Sequence, residues 1–197
     1  MPLGMRVRLR ALGPAAVVIL ALGAPGSAAG QTLGERVEQC AACHGAGGNS
    51  RIENIPSIAG QPEIFLVTQL ILMREGVRRI EAMTPFVKGL KDEEIIAIAR
   101  HFTRMEALAS EEQPDPKLVA RGATLAVPGR CTSCHREDLA GQQQMPRLAR
   151  QRIDYMVQAL KSYRDDTRSG ADTAMTAVIY GLSDDDLAAL AHYAASR

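Results

Sequence analysis

Cys40-Ala41-Ala42-Cys43-His44 lies in the first half of the 197-residue chain, and Cys131-Thr132-Ser133-Cys134-His135 repeats its pattern in the second. Cysteines three positions apart on a helix face the same way, one turn from each other, with a histidine directly after the second. That spacing is the attachment sequence for a c-type haem: each thiol adds to a vinyl group of one porphyrin, and the imidazole meets the iron as proximal ligand. These four cysteines are all the chain has. The sequence therefore implies two covalently attached haem c groups, one held by Cys40, Cys43 and His44 and the other by Cys131, Cys134 and His135. Two alternatives fit less well. Paired cysteines of a zinc ribbon lie roughly 15–20 residues apart, whereas 87 residues separate Cys43 from Cys131. A thioredoxin-like redox pair has no need of a histidine after each second cysteine.

Arg6, Arg8 and Arg10, with no acid among them, precede an apolar run from Ala11 to Gly23 and the small-residue stretch Ala24-Pro25-Gly26-Ser27-Ala28-Ala29. This is the pattern of a secretory signal over residues 1–29, cleaved after Ala29, and it implies a periplasmic protein. An uncleaved signal acting as a membrane anchor is the alternative, although the run is short for a span. Without those residues, twenty Lys and Arg face twenty-two Asp and Glu, a net charge of −2. That excludes the basic footprint of a nucleic-acid binder. The chain has no Trp, three Phe and four Tyr, and buried porphyrins would supply the flat apolar bulk such small domains lack.

The second half copies the first. Pro56 aligns with Pro146, Gln61 with Gln151, Phe65 with Tyr155, Leu70 with Leu160, Arg74 with Arg164 and Arg78 with Arg168. After a two-residue insertion, Met83 aligns with Met175, and Gly89-Leu90 with Gly181-Leu182. Two tandem domains are expected, 30–109 and 118–197, joined by the polar, proline-broken linker 110–117. Apolar spacing predicts helices over Glu63–Glu75 and Ile153–Arg164, a terminal helix from near Asp92, and another after Ser183-Asp184-Asp185-Asp186, which has the form of a capping box. Leu33–Cys43 and Pro116–Cys134 should deliver the two haem motifs, with Pro128-Gly129 as a break in the latter. No alternating run of strand length occurs. The expected class is all-α.

Six methionines follow residue 30. Met73, Met105, Met145 and Met156 have no methionine at the equivalent position of the other half, and Met73, Met105 and Met156 read as core filler. Met83 and Met175 match each other, 39 and 40 residues after their histidines, in what should be loops before the terminal helices. They are the expected sixth ligands; His101 and His192, which align with Tyr193 and Arg100, are the competitors. His/Met ligation raises the reduction potential relative to bis-His and leaves no open coordination position, which favours electron transfer over oxygen or peroxide chemistry. Pro56 and Pro146, 12 and 11 residues after the histidines, offer carbonyls to orient the imidazoles. Arg74, Arg78, Arg164 and Arg168 are candidates to pair with haem propionates.

These motifs, together with Ile55-Pro56-Ser57-Ile58-Ala59-Gly60-Gln61, Met83-Thr84-Pro85 and Gly181-Leu182-Ser183-Asp184, resemble dihaem cytochromes c of the cytochrome c4 type over essentially all of residues 30–197. The resemblance implies two tandem class I cytochrome c domains related by pseudo-twofold symmetry, with propionates facing each other across the interface. It implies a periplasmic shuttle, peripheral at the membrane, that takes electrons from a quinol-oxidising cytochrome complex or a dehydrogenase and passes them to a terminal oxidase. The rival readings are a cytochrome subunit of a larger dehydrogenase, such as a flavocytochrome oxidising sulfide, and a dihaem enzyme in its own right. Two departures stand out. Arg136-Glu137-Asp138 replaces the glycine-rich stretch after His44, and Arg147-Leu148-Ala149-Arg150 is more basic than its counterpart, which bears on either the interface or a docking surface.

Overall fold

Thr32 fixes where the first helix begins. Its hydroxyl accepts the Glu35 N–H, and the Glu35 carboxylate takes the Thr32 N–H at 2.7 Å, so two otherwise orphaned donors are satisfied together. The computed structural model describes residues 1, 4, 31–170 and 173–197. Apart from residues 1 and 4, the expected signal sequence and its cleavage site after Ala29 lie outside the described residues.

In the first half, α1 (Leu33–His44) carries the haem motif to its end, and α2 (Glu63–Arg74) follows an extended loop. A 3₁₀ turn at Glu81–Met83 runs into the short α3 (Thr84–Val87), and α4 (Asp92–Thr103) closes the half. The second half repeats the plan with α5 (Pro116–Ala126), α6 (Cys131–His135), α7 (Ile153–Arg164), α8 (Thr173–Ile179) and α9 (Asp184–Ala195). No strand occurs among the described residues, and the class is all-α. The helix that delivers the second motif is broken where Pro128-Gly129 falls, so that α6 holds little beyond the motif. One expectation is corrected: Met83 ends a 3₁₀ turn and Met175 sits within α8, so both methionines are on short helical segments rather than in open loops.

Residues Gln31–Arg197 form one compact unit with two apolar clusters, one per half. Leu66, Val87, Leu90, Ile95, Ile98, Ala99 and Phe102 make the first, with Met73, Met83 and Met105 packed against it. Leu139, Ala149, Ile153, Met156, Ala191 and Ala194 make the second. α5 crosses α9 at Gly122, where a Cβ would stand 2.1 Å from the Ala189 carbonyl oxygen; a larger residue would force the helices apart. The linker is held in place: the Glu112 carboxylate accepts the Ile153 and Asp154 N–H groups at 2.8 and 3.0 Å, capping α7 from outside.

The repeat extends to backbone conformation. Gly45 and Arg136, each directly after a motif histidine, have φ/ψ of 82°/163° and 71°/164°. That region is essentially reserved for glycine, and a side chain in it costs of order 1–3 kcal/mol. The Arg136 ion pair with Asp138, at 3.6 Å between two exposed side chains, offsets little of this. Arg136→Gly is therefore expected to stabilise the holoprotein by about 1 kcal/mol, the relief of strain exceeding the added entropy of the unfolded chain. A rise in the urea midpoint at unchanged slope is the measurement; an unchanged or lowered midpoint contradicts it.

Candidate functional site

A carbonyl oxygen only accepts, so the ring nitrogen facing it must carry the proton. His44 Nδ1 donates to the Pro56 carbonyl at 2.8 Å, and His135 Nδ1 donates to the Pro146 carbonyl at 2.8 Å. Both rings are buried. Burial disfavours the imidazolium and lowers both pKa values, partly opposed by the carbonyl bonds. Each histidine is thus held as the neutral tautomer with Nε2 left as a lone-pair donor. Beside them, Cys40 and Cys131 are half-buried and Cys43 and Cys134 exposed, all four as free thiols. Burial pushes the Cys40 and Cys131 thiols up, opposite to the activated thiolate of a redox pair.

The carbonyls of Gly48 and Leu139 shape the loops that carry these prolines. Gly48 O accepts from Ile58 and Ala59 N–H, and Leu139 O from Leu148 and Ala149 N–H, at equivalent places in the two halves. The two loops meet at the seam between the halves. There the Gln61 side-chain amide accepts from Arg147 N and donates to Arg147 O, both at 2.9 Å, while Gln151 does the same to Ser57, both at 2.8 Å. Gln61 matches Gln151 and Ser57 matches Arg147, so the pairs are exchanged by a pseudo-twofold axis. Of the two settings open to the basic stretch after Pro146, the seam takes it. The Arg147 guanidinium is buried on the Ala59 and Ala149 carbonyls, and Arg150 reaches Ala107 O at 3.0 Å. Burial, with Arg150 nearby, lowers the Arg147 pKa to about 10.

The four arginines divide. Arg74 bonds Leu90 O and Asp92, and Arg164 bonds Leu182 O and Asp184, in matching geometry. Both guanidiniums are spent on tying α2 to α4 and α7 to α9, which corrects the expectation that they serve propionates. Arg78 donates to Gln69 Oε1 at 2.5 Å, and Arg78 and Arg168 both interact with the Tyr155 hydroxyl, with Arg168 stacked 4.7 Å over the Tyr163 ring. Although burial raises the Tyr155 pKa, the two guanidiniums bring it below the ordinary value. No carboxylate of the described residues lies among the partners of this cationic pair, of which Arg78 is buried and Arg168 half-buried, which leaves it suited to an anion brought by a cofactor. Of the competing ligands, His192 Nδ1 accepts the Asp115 N–H at 2.9 Å, and His101 packs edge-on against Phe102.

The arrangement fits haem c twice over. It supplies unpaired thiols one turn apart, a neutral imidazole with Nε2 uncommitted, a thioether on a distant segment of each half, and two guanidiniums lacking a counter-anion. Among the described residues no cluster of three or more His, Cys, Asp or Glu side chains offers a site for a bare metal ion.

Comparison with known proteins agrees. Residues 119–196 match the cytochrome c family, and residues 27–102 match the family described as cytochrome c oxidase, cbb3-type, subunit III. Cytochrome c4 of Pseudomonas aeruginosa is 34% identical over 88% of this chain and 90% of its own length. The chain belongs to the cytochrome c4 family. The structure of reduced recombinant cytochrome c4 from Pseudomonas stutzeri superposes with a TM-score of 0.75 at 31% identity, covering 82% of this chain and 94% of that one. A Thiomonas intermedia protein named thiosulfate dehydrogenase electron acceptor is 28% identical over 80% of this chain and 78% of its own length. Membership of the cytochrome c4 family brings two tandem cytochrome c domains, two covalent haem c groups and the role of electron carrier.

Sequence reasoning gave no role to Gln61, Gln151, Tyr155 or Asp154. Their alignment in the repeat was the available signal for the glutamines. Asp154, also at the seam, accepts the Asn54 N–H at 3.2 Å and the Arg152 guanidinium. Burial raises its pKa, but Arg152 and the Asn54 and Tyr155 N–H groups outweigh it and hold the carboxyl below the ordinary value. A carboxyl depressed in the folded state contributes stability above its unfolded pKa and loses it as pH falls through the folded value. Asp154→Asn should cost about 1–2 kcal/mol at neutral pH, with the difference from wild type closing below about pH 4. Denaturant titrations of both proteins between about pH 7 and pH 3 measure this; a gap independent of pH contradicts it.

Proposed function

We propose that this chain is an exported shuttle that carries single electrons between redox proteins, with each iron held between an imidazole and a thioether. Cys40 and Cys43 in the first half, and Cys131 and Cys134 in the second, would fix the porphyrins covalently. His44 and His135 would bind iron through Nε2, and Met83 and Met175 would close the opposite faces. Bound haem supplies a one-electron ferric–ferrous couple; the protein supplies ligands, orientation and the exclusion of water. The observation that carries this reading is the Nδ1 bond to Pro56 and to Pro146, made at 2.8 Å in both halves, because it presents the other ring nitrogen as a ligand in a fixed plane. Arg78, Arg168 and Tyr155 would receive propionates at the seam.

The basic, apolar and small-residue segments of residues 1–29, and the attachment chemistry of the paired cysteines, support a periplasmic location. Among the described residues no helix is long and apolar enough to cross a membrane, and peripheral association or an uncleaved anchor are the two forms membrane contact would take. The donor would be a quinol-oxidising cytochrome complex or a dehydrogenase, and the acceptor a terminal oxidase. The likeness to a protein named thiosulfate dehydrogenase electron acceptor favours a second reading, in which the donor is a dehydrogenase that binds this chain stably as its cytochrome subunit. A dehydrogenase that co-purifies with the holoprotein decides for it.

Haem counting by pyridine haemochrome should give two haems per chain; one or none ends the dihaem account. Met83→Ala and Met175→Ala should each convert one of the two haems from low to high spin and remove about half of the weak red-edge band of thioether-ligated ferric haem. If neither substitution alters a spin state, the thioether assignment is wrong.

A further inference from the structure

We propose that Gln61 and Gln151 are positioning residues wired across the seam, each tuning the proximal histidine of the opposite half. The proposal rests on the reading of His44 and His135 as iron ligands.

A single amide plane carries the argument. The peptide between Pro56 and Ser57 offers its carbonyl to His44 Nδ1 at 2.8 Å. Its N–H donates to Gln151 Oε1 at 2.8 Å, and Gln151 Nε2 returns to Ser57 O at 2.8 Å. The peptide between Pro146 and Arg147 has the mirror arrangement. Its carbonyl takes His135 Nδ1 at 2.8 Å, and its N–H donates to Gln61 Oε1 at 2.9 Å. Both glutamines are 3% exposed, as is Ser57, with Arg147 at 5%, so water does not compete for these bonds.

Amide groups polarise one another in such chains. Accepting the peptide N–H pushes electron density onto the carbonyl at its other end, and the effect strengthens each bond by roughly 10–30%. A more basic carbonyl draws the imidazole Nδ1 proton harder. That makes Nε2 a stronger donor and favours the ferric state. Gln151, five residues beyond Pro146, therefore acts on His44 and not on the histidine of its own half, and Gln61 acts on His135. If the glutamines merely joined the halves, their loss would weaken the seam with no preference for either haem.

The test uses the holoprotein, with potentials read by spectroelectrochemical titration. The two waves are assigned in a Met175→His background, which lowers the wave of the second-half haem. Gln151→Leu removes the acceptor. It should raise the potential of the first-half haem by about 1.5-fold or more in the reduction equilibrium, ~10 mV for one electron, with the second-half wave unmoved. Gln61→Leu should do the reverse. Gln151→Glu keeps an acceptor for the Ser57 N–H and charges it, so the first-half potential should fall by more than the second-half one; it carries the test if the leucine variants do not fold. Shifts confined to the haem of the variant's own half, equal shifts in both, or a loss of stability with both waves unmoved overturn the proposal. Loss of the low-spin spectrum in unsubstituted protein would instead indict the ligand assignment on which it rests.

Discussion

A ring nitrogen bonded to a proline carbonyl is the constraint on which the site depends. An imidazole has two nitrogens and one proton when neutral, and an iron ligand needs the lone pair on a defined side. The carbonyls of Pro56 and Pro146 settle the tautomer, because neither can donate. Burial then disfavours the imidazolium and lowers both pKa values. The rest of each half holds that pair in register. The helix with the motif delivers the histidine, a loop pinned on the Gly48 or Leu139 carbonyl delivers the proline, and the terminal helix packs beneath.

The seam is polar, and its stability comes from completeness. Among the described residues no buried side-chain nitrogen or oxygen lacks a hydrogen-bond partner, and a buried polar group costs little only when it is satisfied. Two glutamines, an arginine on backbone carbonyls and an aspartate on a backbone N–H achieve this where an apolar seam would need only shape. Directional bonds specify one relative placement of the halves, whereas a greasy contact tolerates sliding. The seam thus fixes the distance and orientation between whatever the two halves hold.

The chain's organisation was legible wherever a local rule decides. The Ser183-Asp184-Asp185-Asp186 start became the cap of α9, with Ser183 and Asp186 bonding reciprocally. The apolar spacing of Ile153–Arg164 placed both ends of α7. The repeat singled out Met83 and Met175 from six methionines, though it gave loops where the chain makes short helical segments. Illegible were contacts across the seam, since nothing in a window around Gln151 points to Ser57, 94 residues earlier. The arginines show the same limit. Arg74 and Arg78 looked alike in sequence, yet one lies within reach of Asp92 at the start of α4 and the other meets a tyrosine hydroxyl from the opposite half. Tyr155, aligned with Phe65, carried a faint signal: a hydroxyl added to one copy has to find a partner when buried.

The copies are not equivalent in charge, and the difference falls beside the ligand frame. Ser57 and Arg147 occupy matching positions directly after the two prolines, so only the second half has an arginine, itself buried, following the proline that orients its histidine. Its partners are carbonyls, which supply dipoles but no counter-charge, and burial limits screening by solvent. The side chain starts in the second half and ends on the Ala59 carbonyl of the first, so its charge lies at the seam. Duplication alone would yield two sites of equal affinity for an electron. One difference at the seam, serine in one copy and arginine in the other, makes the surroundings of the two halves electrostatically unlike.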